Sequence, residues 1–165
     1  MTSWAERSHE EKSLLNPAFC AFLLWNAARG YAREETGRLS FEESFLILPM
    51  VLHRETREGL PHTIRTSLAV WLDENPLVRG RVESRARQLV SFTKEALTFG
   101  GIHGLIHFEE SGLHADIAWT GIVNRKVNES SDEVKDCAKR AGFIGRWFAQ
   151  TGGAATVLAL LGVRP

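Results

Sequence analysis

From Pro17 to Ala28 the chain reads PAFCAFLLWNAA, an apolar segment with almost no polar face. A helix of that kind has no side to offer water, so it belongs at the centre of a fold or inside an interface. Asn16-Pro17 supplies its start, because Asn caps free amides and Pro suits the first helical turn. Polar residues return at Arg29, and an end is expected between Glu35 and Gly37. A second helix opens at Ser40-Phe41-Glu42-Glu43, a capping box in which Ser and Glu satisfy orphan amides reciprocally. Its apolar run from Phe41 to Leu52 is interrupted by Pro49, which predicts a kink or an early end. HRETREGLP, residues 53–61, is too polar for core and reads as a charged connector or a docking loop. Ile64, Leu68, Trp71 and Leu72 place a third helix from about His62 to Glu74.

Asn75-Pro76 repeats the start signal and opens the longest expected helix, to about Phe99, before Gly100-Gly101. Val78, Val82, Ala86, Leu89, Thr93, Ala96 and Leu97 form its buried stripe. Residues 102–123 alternate instead, which predicts β-structure. A two-residue turn at Ser111-Gly112 would pair Glu109 with His114, Phe108 with Ala115, His107 with Asp116 and Ile106 with Ile117. One face then carries Ile106, Phe108, Ala115 and Ile117, and the other His107, Glu109, His114 and Asp116. NRKVNES is expected to be a loop, and Ser130-Ser131-Asp132-Glu133 to be a capping box. It starts a helix whose stripe is Val134, Cys137, Ala138, Ala141, Ile144 and Phe148. A last helix, Ala154 to Leu161, stops at Gly162. The expected fold class is α+β and predominantly α-helical, with about six helices and one β-hairpin, a winged-helix-like arrangement. Residues 1–15 are expected to be a flexible N-terminal arm, and residues 16–165 a single globular domain.

Composition narrows the function without naming it. Twenty basic and twenty acidic residues cancel, so no global field draws the chain to nucleic acid or anionic lipid. Cys20 and Cys137 fall among apolar residues at helical spacing and read as buried thiols, not as zinc ligands. The N-terminus is too polar for a signal peptide, and no apolar run approaches the ~20 residues a membrane span needs. A soluble, cytoplasmic protein is expected.

Three histidines and three carboxylates in GGIHGLIHFEESGLHADIAWTG, residues 100–121, invite a metal or proton-transfer reading. The hairpin register offers a plainer one, since each His would face a carboxylate in a cross-strand pair worth about 0.2–1 kcal/mol. A flat antiparallel face spreads its side chains, whereas a metal needs at least three converging ligands. The stretch is therefore expected to be a wing docked by Ile106, Phe108 and Ile117, its polar face open to a partner. No phosphate-cradling glycine loop, G-x-S-x-G or H-E-x-x-H occurs, so no catalytic residue, cofactor site or metal site is assigned and the chain is not expected to be an enzyme.

The arginines remain. Arg79, Arg81, Arg85 and Arg87 lie on the long helix off its buried stripe, and Arg125 and Lys126, then Lys139, Arg140 and Arg146, follow the hairpin. The first six are candidates for a nucleic-acid or partner contact. Solvated faces balanced by Glu83, Glu95, Asp132 and Glu133 would explain the same residues. His53, Arg54, Glu55 and Arg57 are candidates for a partner-docking loop.

Three stretches taken together carry a family resemblance: NPAFCAFLLWNAARGY (16–31), SFLILPMVLHRETREGLP (44–61) and TVLALLGVRP (156–165). In that order they resemble the middle component of bacterial three-component ABC systems. The resemblance implies a non-catalytic accessory subunit that binds an SMC/Rad50-like ABC ATPase. It further implies coupling to an effector subunit in a Lamassu-type antiphage or anti-plasmid defence system, with DNA reached through the complex. The alternative is a winged-helix-like DNA-binding protein using the arginines of the long helix and hairpin region.

Overall fold

The computed structural model describes residues 15–34, 37–110 and 112–164. The expected arm, residues 1–15, lies outside the described residues except for Leu15. Among the described residues the elements run α1 (Pro17–Glu34), α2 (Phe41–Val51), α3 (Arg54–Glu58), α4 (Leu68–Glu74), α5 (Pro76–Gln88) and α6 (Val90–Ile102). The strands β1 (Ile106–Glu109) and β2 (Gly112–Ala115) follow, then a 3₁₀ turn (Ile117–Trp119), α7 (Thr120–Asn128), α8 (Asp132–Ala149) and α9 (Ala154–Leu161). The architecture is helical with one antiparallel hairpin, but the described helices number nine where about six were expected.

The apolar first helix is central, as its pattern demands. Cys20, Leu23, Leu24, Trp25 and Ala27 are fully buried, and α1 packs on α8, α6, α2 and β2. Its crossing with α8 is close because side chains are missing there. A Cβ on Gly145 would stand 1.9 Å from the Ala27 carbonyl oxygen, and one on Gly30 would stand 2.1 Å from that of Gly142. The two backbones thus meet through Gly30, Gly142 and Gly145.

The Ser40–Glu43 box forms as expected, with Glu43 N–H donating to Ser40 Oγ at 3.0 Å and Ser40 N–H to Glu43 Oε2 at 2.9 Å. Pro49 sits in the last turn of α2, which ends two residues later. Four tryptophans tie helices to loops. The indole N–H groups of Trp25, Trp71, Trp119 and Trp147 donate to the carbonyls of Asp116, Gly59, Gly104 and Thr66. Each thereby satisfies one buried donor and one loop acceptor at once.

Several expectations need correction. The charged connector contains a helix, α3, because His53 caps it by accepting the Thr56 amide. The third helix begins at Leu68 under a Ser67 cap, not near His62. The long helix breaks at Leu89 into α5 and α6, and α6 runs through Gly100-Gly101 to Ile102. Both glycines meet side chains of the hairpin, Ile106 and Phe108, so they serve close packing and not termination. NRKVNES is mostly helical, since α7 extends to Asn128. Ser131, one residue on from the expected box, is the N-cap of α8 and accepts from Val134 N–H.

The hairpin register is also shifted. Ile106 pairs with Ala115, His107 with His114, Phe108 with Leu113 and Glu109 with Gly112. The shift of two leaves every side chain on its expected face but changes its partner. Leu39 fixes it: its carbonyl accepts the Leu113 amide at 2.8 Å, and Gly112, at φ +134°, leaves no room for a Cβ beside it. Asp116 and Ile117 fall beyond the strand, and Ile117 is 78% exposed, so it docks nothing. Ile106 is buried and Phe108 half exposed against Gly101.

Candidate partner-binding surface

The short helix α3 gathers two groups of candidates that lie far apart in the sequence. His53 Nδ1 accepts from the Thr56 amide at 3.3 Å and from the Thr56 hydroxyl at 3.0 Å, and that hydroxyl accepts from Arg85 Nη2 at 2.9 Å. Burial, and then the positive charge of Arg85, hold the imidazole below its ordinary pKa of 6.5, so the neutral ring is the one that caps. Glu55 pairs with Arg81 at 3.0 Å. Burial and the nearby Arg81 push the Arg85 guanidinium down, with Glu55 opposing.

Arg57 is the buried centre of this region, 3% exposed. Its Nε donates to Asp136 Oδ2 at 2.7 Å, one Nη to the Val51 carbonyl at 2.8 Å and the other to Glu133 Oε1 at 3.2 Å. Burial alone would weaken its charge, but the hydrogen bonds to Asp136 and Glu133 and the nearby negative groups raise its pKa above the ordinary value. All four docking-loop candidates are thus helical or cap a helix. Arg54 and Glu55 point outward, and Arg54 is bonded to Glu58 at 2.7 Å on the same helix face.

The other candidates scatter. Arg79 Nη2 reaches the Ala159 carbonyl of α9 at 3.2 Å, and Arg87 pairs with Glu83 at 2.6 Å. Arg125 and Lys126 lie exposed on α7, which packs on α8 and the 3₁₀ turn, and Lys126 pairs with Glu129 at 3.5 Å. The structure therefore brings Arg81 and Arg85 to His53, Glu55 and Arg57, and leaves Arg79, Arg87, Arg125 and Lys126 apart.

On the hairpin each His does find a carboxylate, as a diagonal neighbour. His107 Nε2 donates to Asp116 Oδ2 at 3.0 Å, and His114 Nδ1 lies 3.4 Å from Glu109 Oε1. The His107 bond, followed by the Ala118 amide, holds Asp116 below the usual carboxylate range. Glu109 is shared with Arg38, and the two imidazoles stack with centroids 5.1 Å apart. Among the described residues no group of three or more metal-ligating side chains converges. Cys20 and Cys137 are buried, and burial pushes the Cys20 thiol up to about 12.

Around this hairpin the chain leaves apolar surface open. Ile102, Phe108, Ile117 and Ile122, all between residues 102 and 122, are 76%, 49%, 78% and 44% exposed. These side chains are candidates for burial against a partner. None of the described helices is long and apolar enough to cross a membrane.

Sequence reasoning missed two features. The Arg38–Glu109 pair joins the segment before α2 to the hairpin, and no spacing announces it. Arg29 and Arg33 of α1 come to lie beside Lys139 and Arg146 of α8. For these the signal was present: basic residues at helical spacing flank Gly30, and others flank Gly142. Compared with known proteins, residues 4–165 match the family model for the ABC-three component (ABC-3C) system Middle Component 3. No curated protein and no solved structure matches.

Proposed function

The chain belongs to the middle-component family of ABC-three component systems, and from that membership we propose that it is a non-catalytic accessory subunit. In this reading it binds an SMC/Rad50-like ABC ATPase of its own system and couples that ATPase to an effector subunit in antiphage or anti-plasmid defence. What supports the reading is the family match over nearly the whole chain, 4–165. The open apolar side chains around the hairpin and the mixed-charge surface of α3 are consistent with burial against protein.

Partner docking is favoured over duplex binding by the isolated chain, winged-helix-like or otherwise. Arg81 and Arg87 already pair with Glu55 and Glu83, and Arg85 is held by Thr56. Such arginines would have to break existing contacts to grip phosphates. Co-expression with an ABC ATPase of the same system tests the proposal. A stable complex that is lost on Ile102→Asp/Ile117→Asp is expected. Two folded proteins that stay apart would count against it. Salt-sensitive duplex binding by the chain alone, lost on Arg81→Glu/Arg85→Glu, would instead favour the DNA reading.

A further inference from the structure

Over the glycine crossing, α1 and α8 border a cleft of about 320 Å³. Asn26, Arg29 and Arg33 line it from α1, Lys139 and Arg146 from α8, and His62 from the loop before α4. Asn26, Arg29, Gly30 and Arg33 recur at three- and four-residue spacing, so one helix face presents them together. Among the described residues lining the cleft there is no carboxylate. Glu34 is nearby, but both its oxygens are taken, one by Arg146 Nε at 2.5 Å and the other by Gln150 Nε2 at 2.9 Å.

Four strong bases line the pocket without a lining acid, Arg33 and Lys139 exposed and Arg29 and Arg146 half-buried, so like charges are held together with no lining counter-charge. The effect is visible at Arg29, whose guanidinium is weakened first by burial and then by Arg33. It also lies over the Trp25 ring, 5.2 Å from its centroid. Folding does not ask for this cluster: the α1–α8 crossing is made by glycine and alanine. On α5, by contrast, the arginines are each given a protein acceptor.

We propose that the α1–α8 cleft is a binding site for clustered phosphate groups, held by Arg29, Arg33 and Lys139 with His62 and Asn26 at its edge. Guanidinium forks match phosphate oxygens in pairs, and the lysine adds a point charge. The half-buried Phe143 ring in the same wall offers a surface for a base or other flat group attached to the phosphates. The proposal goes beyond the accessory-subunit reading and does not depend on which partner the chain binds.

Titration calorimetry of the full chain with sodium pyrophosphate, at ionic strength held constant with sodium chloride, tests it. Saturable one-to-one binding is expected. Arg33→Gln/Lys139→Gln, both at exposed positions and checked for unchanged helicity, should weaken it about tenfold. Arg125→Gln/Lys126→Gln on α7 should leave it unchanged. A nucleoside triphosphate that competes while a short single-stranded oligonucleotide does not would mark a free nucleotide as the source of the phosphates. The reverse would mark a nucleic-acid strand, and both outcomes keep the site. Absence of saturable binding at millimolar pyrophosphate, or equal affinity in the folded cleft variant, would overturn the proposal. Because no partner is present in the assay, its failure leaves the ATPase reading untouched.

Discussion

The arginines of α5 and the cations beside the α1–α8 crossing have the same chemistry and opposite surroundings. On α5, Arg79, Arg81, Arg85 and Arg87 reach a carbonyl, a carboxylate, a hydroxyl and a second carboxylate, respectively. In the cleft, Arg29, Arg33 and Lys139 line a wall without an acid among the described residues; Arg146 pairs with Glu34, and Arg29 lies over the Trp25 ring. Counting basic residues along the chain points to α5; counting their partners points to the cleft. Charge density alone is therefore a poor guide to a binding surface, because a cation already paired must first give up that contact, worth up to about 1 kcal/mol at the surface.

The two regions should also respond differently to substitution. The largest effect is expected at the crossing that shapes the cleft. Gly145→Ala forces a methyl group to 1.9 Å from the Ala27 carbonyl oxygen, backbone that cannot swing aside. A loss of about 3 kcal/mol by urea unfolding is expected. The same change at Gly80 of α5, where nothing lies within 4 Å, should instead stabilise by about 0.5–1 kcal/mol. Equal effects at the two glycines would sink the comparison.

Arg57→Ala comes next, at about 2 kcal/mol. The carboxylates it abandons are 66% and 40% exposed and regain water, so the cost falls short of the 3–5 kcal/mol typical when a buried charge is left alone. The lost contact with the Val51 carbonyl and the vacated volume account for most of it. Thermal unfolding of the variant, with helicity monitored, checks the value.

A smaller contrast separates Arg81→Glu from Arg33→Glu. The first breaks an exposed pair with Glu55 and sets two carboxylates together, for a loss of about 0.5–1 kcal/mol. The second relieves repulsion on Arg29 and should stay within about 0.5 kcal/mol of the parent, on either side. If Arg33→Glu is the more damaging of the two, the cations of the cleft are structural.

The smallest effect is a pH dependence at α3. His53 has a lowered pKa in the folded chain, so its neutral cap contributes fully above its ordinary value of 6.5. Below that value the unfolded chain takes up the proton first, and stability falls with pH until the folded ring also titrates. Between about pH 7.5 and pH 5.5 the parent should lose more melting temperature than His53→Asn, which keeps an acceptor at the cap but does not titrate.

Much of the fold was legible because the signals are local. Asn16-Pro17, Ser40 with Glu43 and Gly162 set helix ends within a few residues, and a cap needs only its own neighbours. The hairpin's faces were legible for the same reason, since alternation survives an error of two in register. The register itself was not, because Leu39, about seventy residues upstream, holds Leu113 in place. Helix α3 escaped notice because its hydrophobic pattern is nil; it persists through the His53 cap and the anchoring of Arg57 on α8. The family resemblance rested on ordered stretches of the chain and stands in the match over residues 4–165.

By itself, then, the sequence determined that α1 would be buried, that the chain would be mainly helical with one hairpin, and that its opposite charges would balance. Tertiary structure alone decided which charges of different elements balance one another. Glu55 of α3 occupies Arg81 of α5, while Gly30, Gly142 and Gly145 draw two basic helix faces together at the edge of a cleft. The reason is range: caps and periodicity act over one or two turns, but the neutralisation of a charge depends on whatever the fold carries to within about 4 Å of it.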